Sequence, residues 1–290
     1  MWRSSKCCES RAWSSLPVRA TFCIVATSFF LLPEVEQILV SGSEISPWNM
    51  GDGFRHIYLD LGTNIGVQIR KLFEPKLYPK AGIHKFFNEW FEVAEERNRT
   101  VCAIGFEPDP SHTHRLEEVE SWYRSGGYCV RIFTQTAIGT QDGPVQLYQD
   151  KDVKHERWGS SIVLARNRDH SVRSITTVNS VNASRLVEKL SHRCCWDNAI
   201  HYQKKPAIIV KMDIEGAEYD VISQMIETGM ICHIHLLFIE WHKEKGFKTQ
   251  VSARRMEDKL HYAAKQCPHP PIISKFDDES YLNDGRPLHL

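Results

Sequence analysis

The nine residues Val210-Lys-Met-Asp-Ile-Glu-Gly-Ala-Glu218 decide how this chain is read. They continue Pro206-Ala-Ile-Ile209, a short apolar run rich in β-branched residues that suits a strand buried on both faces of a parallel sheet. Gly216 breaks the run, and Tyr219, Val221, Ile222 and Met225 follow at helical spacing. A strand that delivers three acids across a glycine turn into a helix sets charge at the carboxyl edge of a sheet. Open α/β folds hold ligands at that edge. Strand alternation puts Lys211, Asp213 and Glu215 on one side for as long as the strand lasts. Acids at a helix N-terminus also stabilise it electrostatically, so Asp213, Glu215 and Glu218 have an ordinary structural explanation. Lys211, a cation at the end of an apolar strand, has none, and it tips the reading toward chemistry.

A second motif upstream points to the same edge. Phe54 to Asp60 reads as a strand running into Asp60-Leu-Gly-Thr-Asn-Ile-Gly66. Two glycines four apart let the backbone turn tightly and approach a ligand. Val67, Ile69, Leu72 and Phe73 then suit a helix whose N-terminus faces the bound molecule. This is not the GxGxxG of a dinucleotide site, because Asn64 stands where the second glycine would be. Residues 101–106 give a second strand ending Glu107-Pro-Asp-Pro110. Glu107 is positioned to accept a ribose diol, whereas Asp109 reads as the cap of a helix starting near Pro110.

Strands are also expected at 128–138, 145–148, 174–178, 235–241 and 270–276, with helices over 85–96, 182–190 and 249–266. The charged stretch 151–174, with Trp158-Gly-Ser-Ser161 inside it, reads as a surface excursion over the substrate. Strands alternating with helices over this length imply an α/β, doubly wound sheet.

The chain has 290 residues, 42% apolar, enough for one large domain with a proper core. Its 36 basic residues equal its 36 acidic ones, which argues against a nucleic-acid surface. Arg3, Lys6, Arg11 and Arg19 precede the apolar run 20–32, and Glu34 and Glu36 follow it. That is the pattern of a targeting segment, either a cleaved signal peptide or a short signal-anchor. The expected organisation is therefore a targeting segment over 1–40, a linker over 41–53 and one domain over 54–290. The domain would face the ER or Golgi lumen from a type II membrane anchor, or be secreted. Asn98-Arg-Thr and Asn182-Ala-Ser are compatible with glycosylation there. Cys102, Cys129, Cys194, Cys195, Cys232 and Cys267 permit disulfides whose pairing the sequence leaves open. No CxxC or histidine-rich spacing assigns a metal site, although Asp213 has the chemistry of a magnesium ligand.

The order DLGTNIG, GFEPDP, AIGTQDG, VKMDIEGAEYDVI and IEWH, spread over 54–242, resembles the FkbM-type S-adenosylmethionine-dependent methyltransferases. The resemblance implies the class I methyltransferase fold, a Rossmann-like, mostly parallel seven-stranded sheet with its last strand antiparallel. It also implies S-adenosylmethionine as cofactor and a hydroxyl, often of a sugar, as acceptor. On that resemblance Asp60, Gly62, Asn64 and Gly66 lie beneath the methionine part of the cofactor. Glu107 is the ribose ligand, Ala137 passes the adenine and Asp213 lies near the sulfonium.

Methyl transfer to a hydroxyl needs positioning and a base. His242 is the first candidate base, since imidazole titrates near neutral pH. Glu215 and Glu240 are the alternatives, and Lys211 would anchor Asp213 or stabilise a developing alkoxide. A glycan-binding or cofactor-binding protein that has lost catalysis is the competing reading. A dinucleotide oxidoreductase is disfavoured by Asn64.

Overall fold

The computed structural model describes residues 51–152, 157–164, 172–192, 205–242 and 253–281, with Asp284 and Leu288. The apolar run 20–32, Cys194 and Cys195 lie outside them. All described residues fall in the unit Ser46–Leu290.

Six strands build the central sheet: β1 (His56–Leu61), β2 (Val101–Glu107), β3 (Cys129–Thr134), β7 (Ile208–Met212), β8 (Leu236–Ile239) and β9 (Ile272–Ser274). Their order is β3-β2-β1-β7-β8-β9, with every pairing parallel. β1 and β7 sit side by side at the centre, with Asp60 opposite Lys211. The order reverses there, which opens the binding crevice of such folds.

Alternating residues of these strands serve two cores. Ile57, Leu59, Leu61, Val210 and Met212 pack on one face, against the helices α5 (Ala183–Ser191), α6 (Glu218–Glu227) and α7 (Ala253–Lys265). Tyr58, Ala103 and Ile209 pack on the other, against α1 (Val67–Phe73), α2 (His84–Trp90) and α4 (Thr113–Ser125). Burial on both faces explains why these strands read as unbroken apolar runs. The doubly wound, Rossmann-like expectation is met.

Three expectations change in detail. The central sheet has six parallel strands among the described residues, in place of seven with the last antiparallel. The reason is the crossover: α7 carries the chain back along the sheet before β9, and a helical crossover returns the next strand parallel. The strand expected over 128–138 is broken at Gln135, whose φ of 50° lies in the left-handed region. β4 (Thr136–Gly139) leaves the central sheet there. It joins β5 (Gly143–Asp150) and β6 (Val172–Asn182) in a second, three-stranded sheet of order β4-β6-β5. The helix expected over 85–96 is interrupted after Trp90, and a 3-10 turn at Ala94–Glu96 leads into the four-residue α3 (Arg97–Thr100).

Among the described residues four cysteines are paired, Cys102 with Cys129 across β2 and β3, and Cys232 with Cys267. Asn182 is the N-cap of α5: its Oδ1 accepts from the Arg185 amide, and its Nδ2 donates to the Thr140 carbonyl. An amide nitrogen held this way is a poor glycan acceptor, so the helix cap accounts for that acceptor pattern. Among the described residues no helix is long and apolar enough to cross a membrane.

The opposite end of the sheet carries a pH-sensitive histidine. His235 Nδ1 accepts a hydrogen bond from the Ile208 amide at 3.1 Å, which requires an unprotonated nitrogen. Burial pushes its pKa down to about 4, helped by His269, His56 and His233 nearby. A histidine held neutral in the fold contributes stability that is present above its unfolded pKa, about 6.5. That contribution is lost as pH falls through about 4. The thermal unfolding midpoint should therefore drop between those limits. His235→Asn should flatten this part of the profile; an unchanged profile would remove His235 as its source.

Candidate active site

The site is built where the turns after β1, β2 and β7 meet. Gly62 takes a φ of 85°, and a Cβ there would lie 1.8 Å from the Asp213 carbonyl oxygen. The two turns are stitched by backbone, since the Asp213 amide donates to the Leu61 carbonyl and the Gly62 amide to that of Phe106. Asn64 also lies in the left-handed region, at φ 52°. This turns its amide onto Glu107 Oε2 at 2.8 Å, while the Asp109 amide donates to Oε1 at 2.8 Å. Glu107 thus ties the first two loops together. Asp109 is a cap, as expected, accepting from the Ser111 amide.

One pocket runs along this edge. Gly62, Asn64, Glu107 and Ala137 line one part of it; Lys211, Asp213, Glu215, Glu240 and His242 line another. Asp60 and Gly66 do not line it. Asp60 is buried beneath the turn with both carboxylate oxygens unpartnered. Burial pushes its pKa up to about 7, partly offset by Lys211. Gly66 starts α1 and packs toward Leu116, where a Cβ would come to 3.4 Å.

The charged residues converge, though strand alternation is not the cause. β7 ends at Met212, so only Lys211 sits on the strand, and Glu215 enters the cluster through a turn with φ 55°. Lys211 Nζ donates to Asp213 Oδ2 at 2.8 Å and lies 3.9 Å from Asp277 Oδ1. Burial works against the lysine's charge, but Asp213, Asp277 and Asp60 outweigh it and hold its pKa above the ordinary value.

His242 Nδ1 lies 3.0 Å from Glu218 Oε1. Its Nε2 lies 3.4 Å from Glu215, 3.7 Å from Asp213 and 3.7 Å from Glu240. Burial opposes charge on His242, yet hydrogen bonds to Glu215 and Glu218 raise its pKa to about 11. At neutral pH it is an imidazolium. Glu240 shifts the other way for an acid: burial, then Asp213, raise its pKa to about 8, opposed by His242 and assisted by a hydrogen bond with Asp277. Two trios, Asp213 with Glu215 and His242, and Asp213 with Glu240 and Asp277, bring ligand atoms within 4.8 Å of one another. The all-carboxylate trio, Asp213 with Glu240 and Asp277, is the one that could hold a hard divalent ion.

Sequence reasoning missed three contributors. Glu218 is fully buried and accepts from the Ile214 and Gly216 amides, so it shapes the turn and orients His242 together. The motif contains it, but an acid in a first helical turn reads as a cap. Asp277 and Glu279, far along the chain, also line the pocket; nothing in their local sequence signals this. The excursion after β5 does reach the site as expected. Arg157 and Trp158 line the pocket, and Ser161 Oγ donates to the Glu215 carbonyl at 2.6 Å.

A family model described as the methyltransferase FkbM domain matches residues 60–267. A crystal structure of the methyltransferase FkbM from Methylobacillus flagellatus KT is similar at 15% identity, with a TM-score of 0.28. The match covers 59% of this chain and 29% of that one, so the chain spans under a third of that relative's length. No curated protein matches the chain.

Proposed function

Because the chain belongs to the FkbM methyltransferase family, we propose that it methylates a hydroxyl of a glycan or glycolipid, using S-adenosylmethionine, in the secretory lumen. The observation that carries this reading is one pocket lined by both the Gly62–Glu107 turns and the Lys211–Asp213–His242 cluster.

The residues present fit the cofactor. Gly62 leaves no room for a side chain where the two turns touch. Asn64 Oδ1 is a buried acceptor without a protein partner, and Asn64 lines the pocket. Glu107 would hold the ribose, Ala137 and Ile138 would border the adenine, and Asp213 would face the sulfonium. When bound, S-adenosylmethionine supplies an electrophilic methyl group. The chain's own residues must then place the hydroxyl in line and remove its proton.

An imidazolium has no lone pair to accept that proton, so the base assignment passes from His242 to Glu240. A carboxylate whose pKa lies close to neutrality both ionises and accepts protons effectively. His242 then serves as the fixed cation that holds Asp213, Glu215 and Glu240 around the reacting hydroxyl, and Lys211 fixes Asp213.

Lumenal placement is supported by the two disulfides, which persist in oxidising compartments. It agrees with the basic flank ahead of the apolar run 20–32.

Glu107→Ala tests the cofactor half. It removes a charged acceptor, worth about 1.5–3 kcal/mol for each hydrogen bond involving a charged group. Calorimetry should show S-adenosylmethionine and its demethylated product binding at least about tenfold more weakly. Unchanged affinity in a folded variant would remove Glu107 from the ribose. Labelled methyl transfer onto a mixed glycan panel tests the reaction itself.

A further inference from the structure

The segment after β9 runs without helix or strand through Lys275-Phe-Asp-Asp-Glu279, and neighbouring side chains along it take different surroundings. Asp277 and Glu279 line the pocket, whereas Asp278 between them is buried.

Asp278 is anchored with unusual investment for a coil. Lys71 and Arg70, both fully buried on α1, reach this segment. Lys71 Nζ donates to the Asp278 carbonyl at 2.7 Å and lies 3.4 Å from its Oδ1. The Gln68 side chain donates to the same carbonyl, and the Ile83 amide to Asp278 Oδ2. Arg70 pairs with Asp284 at 3.0 Å. Phe276 packs against Phe86 and Phe238. Buried ion pairs are weak sources of stability, because desolvation offsets their attraction. What they supply is a fixed position, and the position they fix is that of two carboxylates in the pocket wall.

The pocket's cations are already matched inside the protein. Lys211 is on Asp213, His242 is on Glu218, and Arg157 lies 3.9 Å from Asp109. An acceptor entering beside Asp277 and Glu279 therefore meets carboxylate oxygens, which accept hydrogen bonds from hydroxyls and repel anions.

We propose that Asp277 and Glu279, held by the strap 275–281, are acceptor-binding residues that select an uncharged polyhydroxylated acceptor and reject sulfated, sialylated or phosphorylated ones. This rests on the reading of the protein as a hydroxyl methyltransferase.

The test compares labelled methyl transfer by the full-length chain onto neutral oligosaccharides, their sulfated and sialylated counterparts, and amino sugars. Neutral acceptors should be favoured in kcat/KM by at least about tenfold over anionic ones, as like-charge juxtaposition predicts. The double variant Asp277→Asn with Glu279→Gln keeps hydrogen-bonding capacity without charge. It should narrow that preference by about tenfold by raising transfer to anionic acceptors. Asp278→Asn, which unseats the strap, should instead lower the melting temperature and both transfers together. Equal use of anionic acceptors by the wild type, a preference unchanged in the double variant, or faster transfer to an amine each overturns the proposal. Transfer to no hydroxyl acceptor, with S-adenosylmethionine bound, would reject the methyltransferase reading itself and the strap's role with it.

Discussion

Glu240→Gln is expected to cut methyl transfer by about 10²–10⁴-fold, the usual contribution of a positioned acid or base. Glutamine keeps the size and can still accept a hydrogen bond from the acceptor, so positioning survives while proton removal does not. The pH profile distinguishes this loss from a structural one. In the wild type, activity should rise with pH as Glu240 loses its proton, with an apparent pKa near the value of about 8 set by burial and Asp213. That limb should vanish in Glu240→Gln. His242→Gln should behave differently, because the histidine's positive charge lowers the Glu240 pKa. Removing it should shift the limb to higher pH without abolishing it. If the limb survives in Glu240→Gln and disappears in His242→Gln, the base is His242 and not Glu240.

Gly62→Ala should be a severely damaging single-methyl change. Two costs combine. The added Cβ would sit 1.8 Å from the Asp213 carbonyl oxygen, a backbone atom that cannot swing aside. The φ of 85° also disfavours any residue with a Cβ, by about 1–3 kcal/mol. Separating the turns after β1 and β7 enough to relieve the clash would move the Leu61–Asp213 backbone bond. We expect destabilisation of more than about 4 kcal/mol, in the range reserved for severe steric conflicts, and no cofactor binding by calorimetry. Gly229→Ala is the matching control. Its φ is 75°, but nothing lies within 4 Å of the added atom, so only the backbone cost remains. Equal effects of the two variants on the melting temperature would show that the clash is absorbed and the turns are not rigidly apposed.

Thermal melts and activities of these variants must be read together, since Asp60, Lys211, Asp213 and Asp277 are electrostatically linked. Burial drives Asp60 up to about 7 while Lys211 draws it back. A change at one member therefore alters the protonation of the others.

By itself the sequence determined the local pieces: which runs become central strands, where the two glycines turn, that Asp109 caps and that Asn182 starts a helix. Each depends on neighbours within a few residues, through alternation, glycine φ freedom or side-chain capping. The motif order also placed Glu107 and Asp213 on one sheet edge, because parallel strands joined by helices present all their carboxyl ends together. Tertiary structure decided what is set across long separations. Gln135 gives no signal of the left-handed kink that sends β4 into a second sheet. Glu218 reads as a helix acid until the chain brings His242, 24 residues on, within 3.0 Å of it. The protonation of His242 followed from how many carboxylates surround it, and residue type alone would have left it near neutrality. Asp277 and Glu279 enter the pocket on a strap held by buried Lys71 and Arg70, together with Gln68 and the Ile83 amide. Their position is fixed by ion pairs spanning some two hundred residues of chain, and no local pattern encodes a partner that distant.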